Sequence, residues 1–412
     1  MDDLRAELGA FDPDAPLTAA PDPWDFLPMP ALRAGPPWAM AEMIAAQPAL
    51  ATRIVGRLAA DGSAARLAAA IREAAFAGAP VVVTGCGTSE HAALGAAEVL
   101  REAWRTAGLP GNGPSAAQAF ELSLDPPAAG LVIGVSHEGG TAATIAALDA
   151  ARAAGARTAL LTASAGSPAA AAAEIVLATV EMDRSWCHTV GYVSPMVAAI
   201  AAGDQLAGRS PGGDALARRL AAGIEAAHRA DPRATPPDRA MAGALAGSAH
   251  LLVIASGADR VAARELVLKV EEAAWLPSAM RDLETFLHGH LPASGDTTGL
   301  VLVLTDPAAR DARVRRARQA LRAANVLGHR AGAILAADAA AAIPEALTPA
   351  GRIVIPEAGG LPGPVAALLG TAGPLQLLTL EIARARGTNP DPIRRDDPRY
   401  LRAAEVADAP EA

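Results

Sequence analysis

A chain of 412 residues is too long for one ordinary hydrophobic core, so two or three domains are expected. With 51% hydrophobic and 19% charged residues it belongs with folded globular proteins rather than disordered ones. A net charge of −9 excludes the basic stripe that nucleic-acid binding needs.

The start, Met1-Asp2-Asp3-Leu4-Arg5, is acidic and lacks the basic opening and apolar core of a signal peptide, so a cytoplasmic protein is expected. Cys86 and Cys187 fit no metal spacing and agree with a reducing compartment. Residues 1–48 carry Pro21, Pro23, Trp24, Pro28, Pro30, Pro36, Pro37 and Trp38 at irregular spacing. They read as an arm laid across the folded body, with helical spacing beginning at Ala39 and a second helix over Ser63 to Ala77. Val81 to Thr84 is a short β-branched run that ends in Gly85-Cys86-Gly87-Thr88-Ser89, as a buried strand ends in a tight turn.

Strand and helix signals then alternate. Leu131 to Val135 leads into Ser136-His137-Glu138-Gly139-Gly140-Thr141 and a helix to about Ala154, and Arg157 to Thr162 and Glu174 to Val180 read as further strands. Helical sequence from about Asp214 to Ala230 reaches a hinge at Asp231 to Pro237. Leu251 to Ala255, Leu300 to Leu304, Ala331 to Leu335 and Arg352 to Ile355 then repeat the strand pattern. Such alternation predicts parallel sheets covered by helices on both faces, in two similar α/β units. The apolar stretch from Gly359 to Leu380 is long enough to cross a membrane, but its prolines and glycines make it a loop feeding a buried helix, and no membrane partner is expected.

Two features carry chemistry. The turns after Val83 and Val135 sit where a doubly wound sheet binds ligands, and their glycines and hydroxyls suit an anion or a polyol. Lys269 is the only lysine, in Glu265-Leu266-Val267-Leu268-Lys269-Val270-Glu271-Glu272, while every other basic residue is arginine. An ammonium can be tuned by burial as a guanidinium cannot, which singles Lys269 out. A helical ion pair with Glu265 or Glu272 is the alternative at this spacing.

These residues resemble the sugar isomerase (SIS) domain proteins, in particular the isomerase half of glucosamine-6-phosphate synthase and relatives that isomerise or deaminate amino-sugar phosphates. The resemblance spans roughly residues 40–405. It rests on Cys86-Gly87-Thr88-Ser89, on Ser136, Gly139 and Thr141, on Glu265, Leu268, Lys269 and Glu272, on His288-Gly289, and on Pro374 to Leu378 with Gly387-Thr388. It implies two tandem flavodoxin-like three-layer αβα SIS domains, at 49–205 and 246–386, joined by a helical linker at 206–245 and followed by a tail at 387–412. It also implies a homodimer, because the family's ring-opening histidine reaches the neighbouring subunit's site.

The resemblance assigns roles. Glu272 becomes the base that moves a proton between C1 and C2, His288 the group that serves the ring oxygen, and Lys269 a stabiliser of enediolate charge. Cys86, Gly87, Thr88, Ser89, Ser136, His137, Glu138, Gly139 and Thr141 form the phosphate or substrate cup. No metal is expected, since His288 and His290 have no carboxylate partner in the pattern, and no cofactor. The implied activity is aldose-ketose isomerisation of a phosphorylated or amino sugar, with or without loss of an amino group. A fructosamine-type deglycase and a non-catalytic sugar sensor are the alternatives.

Three departures qualify the likeness. The family usually has glutamine and serine where this chain has His137 and Glu138, and a carboxylate ~4 Å from a phosphate charge costs about 4 kcal/mol at an effective dielectric of 20. The substrate is therefore expected to carry a cation or hydroxyl at Glu138 unless His137 is cationic or Glu138 turns outward. The lysine that closes the synthase site is replaced by Ala403, beside Arg402. The proline-rich residues before the first expected SIS domain do not read as a glutaminase domain, so amide transfer from glutamine is not expected.

Overall fold

The computed structural model describes residues 2–210, 212–229 and 233–408. Ala230 to Pro232, where the expected hinge begins, and the last four residues of the expected tail lie outside the described residues. Two five-stranded sheets form the frame. The first comprises β1 (Val81–Gly85), β2 (Ser115–Gln118), β3 (Leu131–Val135), β4 (Arg157–Thr162) and β5 (Ile175–Ala178) in the order β2-β1-β3-β4-β5. The second comprises β6 (His250–Ala255), β7 (Ser278–Asp282), β8 (Thr298–Leu304), β9 (Arg330–Ala336) and β10 (Gly351–Ile355). Read from β7 it runs β7-β6-β8-β9-β10, which repeats the first order, and every strand pair in both sheets is parallel.

The central strands are apolar from end to end because helices cover both of their faces. β1, β3 and β8 are buried at every residue. β2 and β7 escaped the sequence reading for a physical reason: each is an edge strand, largely half-buried, and Ser115-Ala116-Ala117-Gln118 and Ser278-Ala279-Met280-Arg281-Asp282 hold no β-branched residue.

One hydrophobic cluster runs from Val83 and Ile133 in the first sheet through Leu369 to Val253 and Val301 in the second, so the two units share a core. Helices Ala39–Ala60, Thr88–Thr106, Val190–Ala207, Gly213–Ala227, Asp259–Ala274 and Gly363–Arg386 build it. The last of these begins at Gly363, earlier than the loop expected from its prolines, and carries Pro374 within it. Pro374 cannot bond the Gly370 carbonyl four residues back. That carbonyl instead lies against Gly223, where an added Cβ would come within 2.4 Å of it, so two helix backbones touch here. Helix Gly363–Arg386 passes for a membrane span by length and composition, but 94% of its most apolar window is buried in protein.

Chain ends fix the region above the first sheet. The Asp391 carboxylate accepts the Ala39 and Met40 amides at 2.8 and 2.9 Å, capping helix Ala39–Ala60 from the far end of the sequence. Its carbonyl accepts the Trp186 amide at 3.0 Å.

Candidate active site

In the order β2-β1-β3-β4-β5 the sheet reverses direction between β1 and β3, and a crevice opens beyond the carboxyl ends of those strands. A cavity of about 780 Å³ lies there. Cys86, Thr88, Ser89, His137, Glu138 and Thr141 line it on one side and Glu272 on the other. Gly87 takes φ 57°, ψ −128°, a conformation open to glycine, and directs the chain into helix Thr88–Thr106. Ser136 is buried behind the cup and bonds Thr141 through the hydroxyls at 3.3 Å. Gly139 has φ 83°, and a Cβ there would collide with Ser167.

The second sheet has the same crevice between β6 and β8, but its own charges fill it. Asp259 accepts the Thr305 and Asp306 amides at 2.6 and 2.9 Å, and Arg313 pairs with Asp306 at 2.6 Å over Gly257.

Glu272 and Lys269 come from helix Asp259–Ala274, which packs across the first sheet's crevice. Lys269 is fully buried, with Nζ 2.5 Å from Glu272 Oε2 and 3.9 Å from Glu265 Oε1. Glu265, also fully buried, accepts from His91 Nδ1 at 2.8 Å. Burial raises the Glu272 carboxyl above its ordinary pKa against the pull of Lys269, and the Cys187 thiol also bonds to it. Burial works against the Lys269 ammonium, yet Glu272 and Glu265 outweigh it and keep Lys269 charged. The ammonium does not line the cavity. Lys269 therefore stands behind Glu272, away from the position at which it would touch a sugar hydroxyl.

The two departures in the second loop resolve differently. His137 is 4% exposed, and burial lowers its pKa to about 4, so the cationic histidine that could have offset Glu138 is ruled out near neutrality. Its Nε2 accepts the Asp183 amide at 2.9 Å, which places the proton on Nδ1. His188 packs edge-on at 5.2 Å, its pKa also pushed well down by burial, by His137 and by Lys269. Glu138 does not cap the following helix. It faces the cavity, accepts the Leu27 amide at 3.3 Å and sits 4.0 Å from His188 Nε2. Burial raises its pKa, with the Leu27 amide opposing.

His137, Asp183 and His188 bring ligand-type atoms within 4.8 Å of one another. Asp183, however, accepts four backbone amides, from Ser185, Thr189, Val190 and Gly191. With His137 Nε2 also engaged, the cluster is a hydrogen-bonded cap on helix Val190–Ala207 rather than a cation site. Burial raises the Asp183 pKa to about 6 against those four donors.

His288 lies apart. It sits in the turn Phe286–His290, its side chain 69% exposed and 2.7 Å from Glu284, outside the cavity of its own chain. Sequence reading missed Trp186, His188 and Arg395, which line the cavity, and His91, which reaches Glu265. Trp186-Cys187-His188 follows β5, and a position beyond a strand's carboxyl end was the signal available for it. The expected arm does lie on the body: Trp24 Nε1 donates to the Glu138 carbonyl at 2.9 Å.

Residues 79–209 match the SIS domain family. Among solved structures, the C-terminal domain of glucosamine-fructose-6-phosphate aminotransferase from Francisella tularensis is similar, with 18% identity over 88% of this chain and 99% of that one and a TM-score of 0.71. Tagatose-6-phosphate ketose/aldose isomerase from Escherichia coli gives 19% identity, 88% and 97% coverage and a TM-score of 0.66. Glucosamine-6-phosphate deaminase from Thermotoga maritima gives 18% identity, 76% and 87% coverage and a TM-score of 0.54. No curated protein sequence matches this chain. At these identities the structural likeness speaks for the fold alone: residues 79–209 match the SIS domain, and the chain shares the α/β architecture of these solved structures.

Proposed function

We propose that this protein is an aldose-ketose isomerase acting on a sugar derivative, with or without loss of an amino group at C2. One observation carries the reading: a carboxylate whose pKa is raised by burial, Glu272, faces a hydroxyl-lined cup across a cavity of sugar size and is held there by the only lysine. The solved isomerase and deaminase structures of the same fold support it.

In this reading Glu272 takes the proton from C2 and returns it to C1, which requires one carboxyl group that alternates between base and acid. Lys269 is a positioning residue that fixes the carboxylate, and Cys187 supplies a second, neutral donor to it. Thr88, Ser89 and Thr141 hold the far end of the sugar through hydroxyl donors. A homodimer belongs to the same reading. His288 stands at the surface near an apolar hollow formed by Leu291, Pro292, Ala323, Val326 and Leu327, where Val326 is 87% exposed. In a symmetric dimer it would serve the ring oxygen in the other copy's cavity.

The test is solvent deuterium exchange at C2 across a panel of sugars, amino sugars and their 6-phosphates. Wild type should exchange at least one of them, and Glu272→Gln should exchange it ~10²–10⁴-fold more slowly. Equal exchange in the two proteins would reject Glu272 as the base, and no exchange with any sugar would reject the isomerase.

A further inference from the structure

The second loop of the cup turns a carboxylate toward the cavity. Glu138 carries a carboxylate into the cavity wall, with its side chain 18% exposed and engaged by one backbone amide, from Leu27. The histidines beside it do not neutralise it, since burial keeps both His137 and His188 uncharged near neutrality. Among the residues that line the cavity, Glu138 and Glu272 face a single cation, Arg395, which lies 5.2 Å over the Trp186 ring. Lys269 already pairs with Glu272, so Glu138 is the charge that a dianion seated on this loop would meet at close range, in a partly desolvated site where screening is weak.

The arm completes a different kind of surface. Trp24 and Phe26 pack edge to face at 4.9 Å directly over Gly140, where an added Cβ would lie 2.5 Å from Phe26 and 2.8 Å from Trp24. Trp24 is pinned by its bond to the Glu138 carbonyl, so the loop and its aromatic roof are one unit. Phe26 is 60% exposed yet lines the cavity, offering an apolar face beside a carboxylate acceptor. That pairing suits the C–H face of a sugar ring whose neighbouring substituent donates a hydrogen bond.

Resting on the isomerase reading above, the geometry points to a non-phosphorylated substrate: the 136–141 cup takes the ammonium- or hydroxyl-bearing end of an amino sugar or polyol, with Glu138 as its acceptor and Phe26 against its apolar face. The carboxylate then both selects that donor and rejects the phosphate dianion.

Calorimetric titration of wild type, Glu138→Ser and Glu138→Gln with glucosamine, glucosamine 6-phosphate and glucose 6-phosphate tests this. Wild type should bind glucosamine at least tenfold more tightly than either phosphate. Both variants should gain roughly 10²-fold for the phosphates, and Glu138→Gln, which keeps an acceptor for Leu27, guards against an arm displaced in Glu138→Ser. Tight phosphosugar binding by wild type that neither variant improves would overturn the inference, as would failure of wild type to bind glucosamine. Exchange at C2 is scored separately. Wild-type exchange with a 6-phosphosugar in preference to glucosamine overturns this inference and leaves the isomerase standing. A preserved glucosamine preference without exchange in any sugar does the reverse.

Discussion

The Lys269 ammonium stands 2.5 Å from Glu272 Oε2, and neither the fully buried lysine nor Glu265 behind it reaches solvent. A base on a cavity wall is thereby tied to a charge that cannot drift away. Replacing Glu272 by Gln keeps its size and removes its basicity. We expect the fold and ligand affinity to survive while C2 exchange falls by ~10²–10⁴-fold.

Removing the lysine should act on stability instead. Lys269→Met leaves the fully buried Glu265 and the part-exposed Glu272 without their shared cation, and breaking a buried pair costs up to roughly 3–5 kcal/mol. Urea unfolding near neutral pH would register it as a lower midpoint at unchanged slope. Adding Glu265→Gln to Lys269→Met should recover part of the loss; a cost below about 1 kcal/mol in the single variant would mean the pair contributes no more than a surface ion pair.

The cup hydroxyls should matter one by one. Ser89 and Thr141 line the cavity, and deleting a hydroxyl that donates to a bound sugar leaves an acceptor unpaired, at about 1–3 kcal/mol. Titration of Ser89→Ala and Thr141→Ala with the best-bound sugar measures this. Unchanged affinity in both would move the ligand away from the switch point.

His137 predicts a pH dependence with a definite sign. Its folded pKa, about 4, lies below the ordinary 6.5, so its contribution is full above 6.5 and is lost as pH falls through about 4. Between pH 7 and 5 that loss is about 2 kcal/mol. Asp183, raised to about 6 from 3.8, has the opposite sign: its contribution is present below 3.8 and fades as pH rises through 6. His137→Gln isolates the histidine. Its stability should fall less than wild type's over the same acidification, and parallel curves would show that His137 titrates normally.

The arm can be displaced by a single methyl. In Gly140→Ala the new Cβ has no room beneath Phe26 and Trp24, so residues 22–30 should lift while the sheet stays intact. Arg33 lies just beyond, held by Glu42 at 2.9 Å, and trypsin cleavage after it should accelerate by roughly tenfold as the arm's open population rises. An unchanged cleavage rate with unchanged circular dichroism would mean the loop, not the arm, absorbs the methyl.

By itself the sequence determined the strand-turn rhythm, because buried parallel strands are locally apolar and their turns need glycine whatever lies around them. Val81 to Thr84 and Leu131 to Val135, with the hydroxyl-rich turns after them, were legible for that reason. The isolation of Lys269 was legible too, since composition alone exposes a residue that arginine did not replace. Only the tertiary structure decided what those residues face. His91 meets Glu265 across 174 positions, Trp24 meets Glu138 across 114 and Asp391 caps Ala39 across 352, and no local periodicity encodes pairings at such separations. The same holds for Glu138, whose inward turn depends on an arm more than a hundred residues away, and for edge strands β2 and β7, whose pairing is set by their neighbours rather than by their own residues.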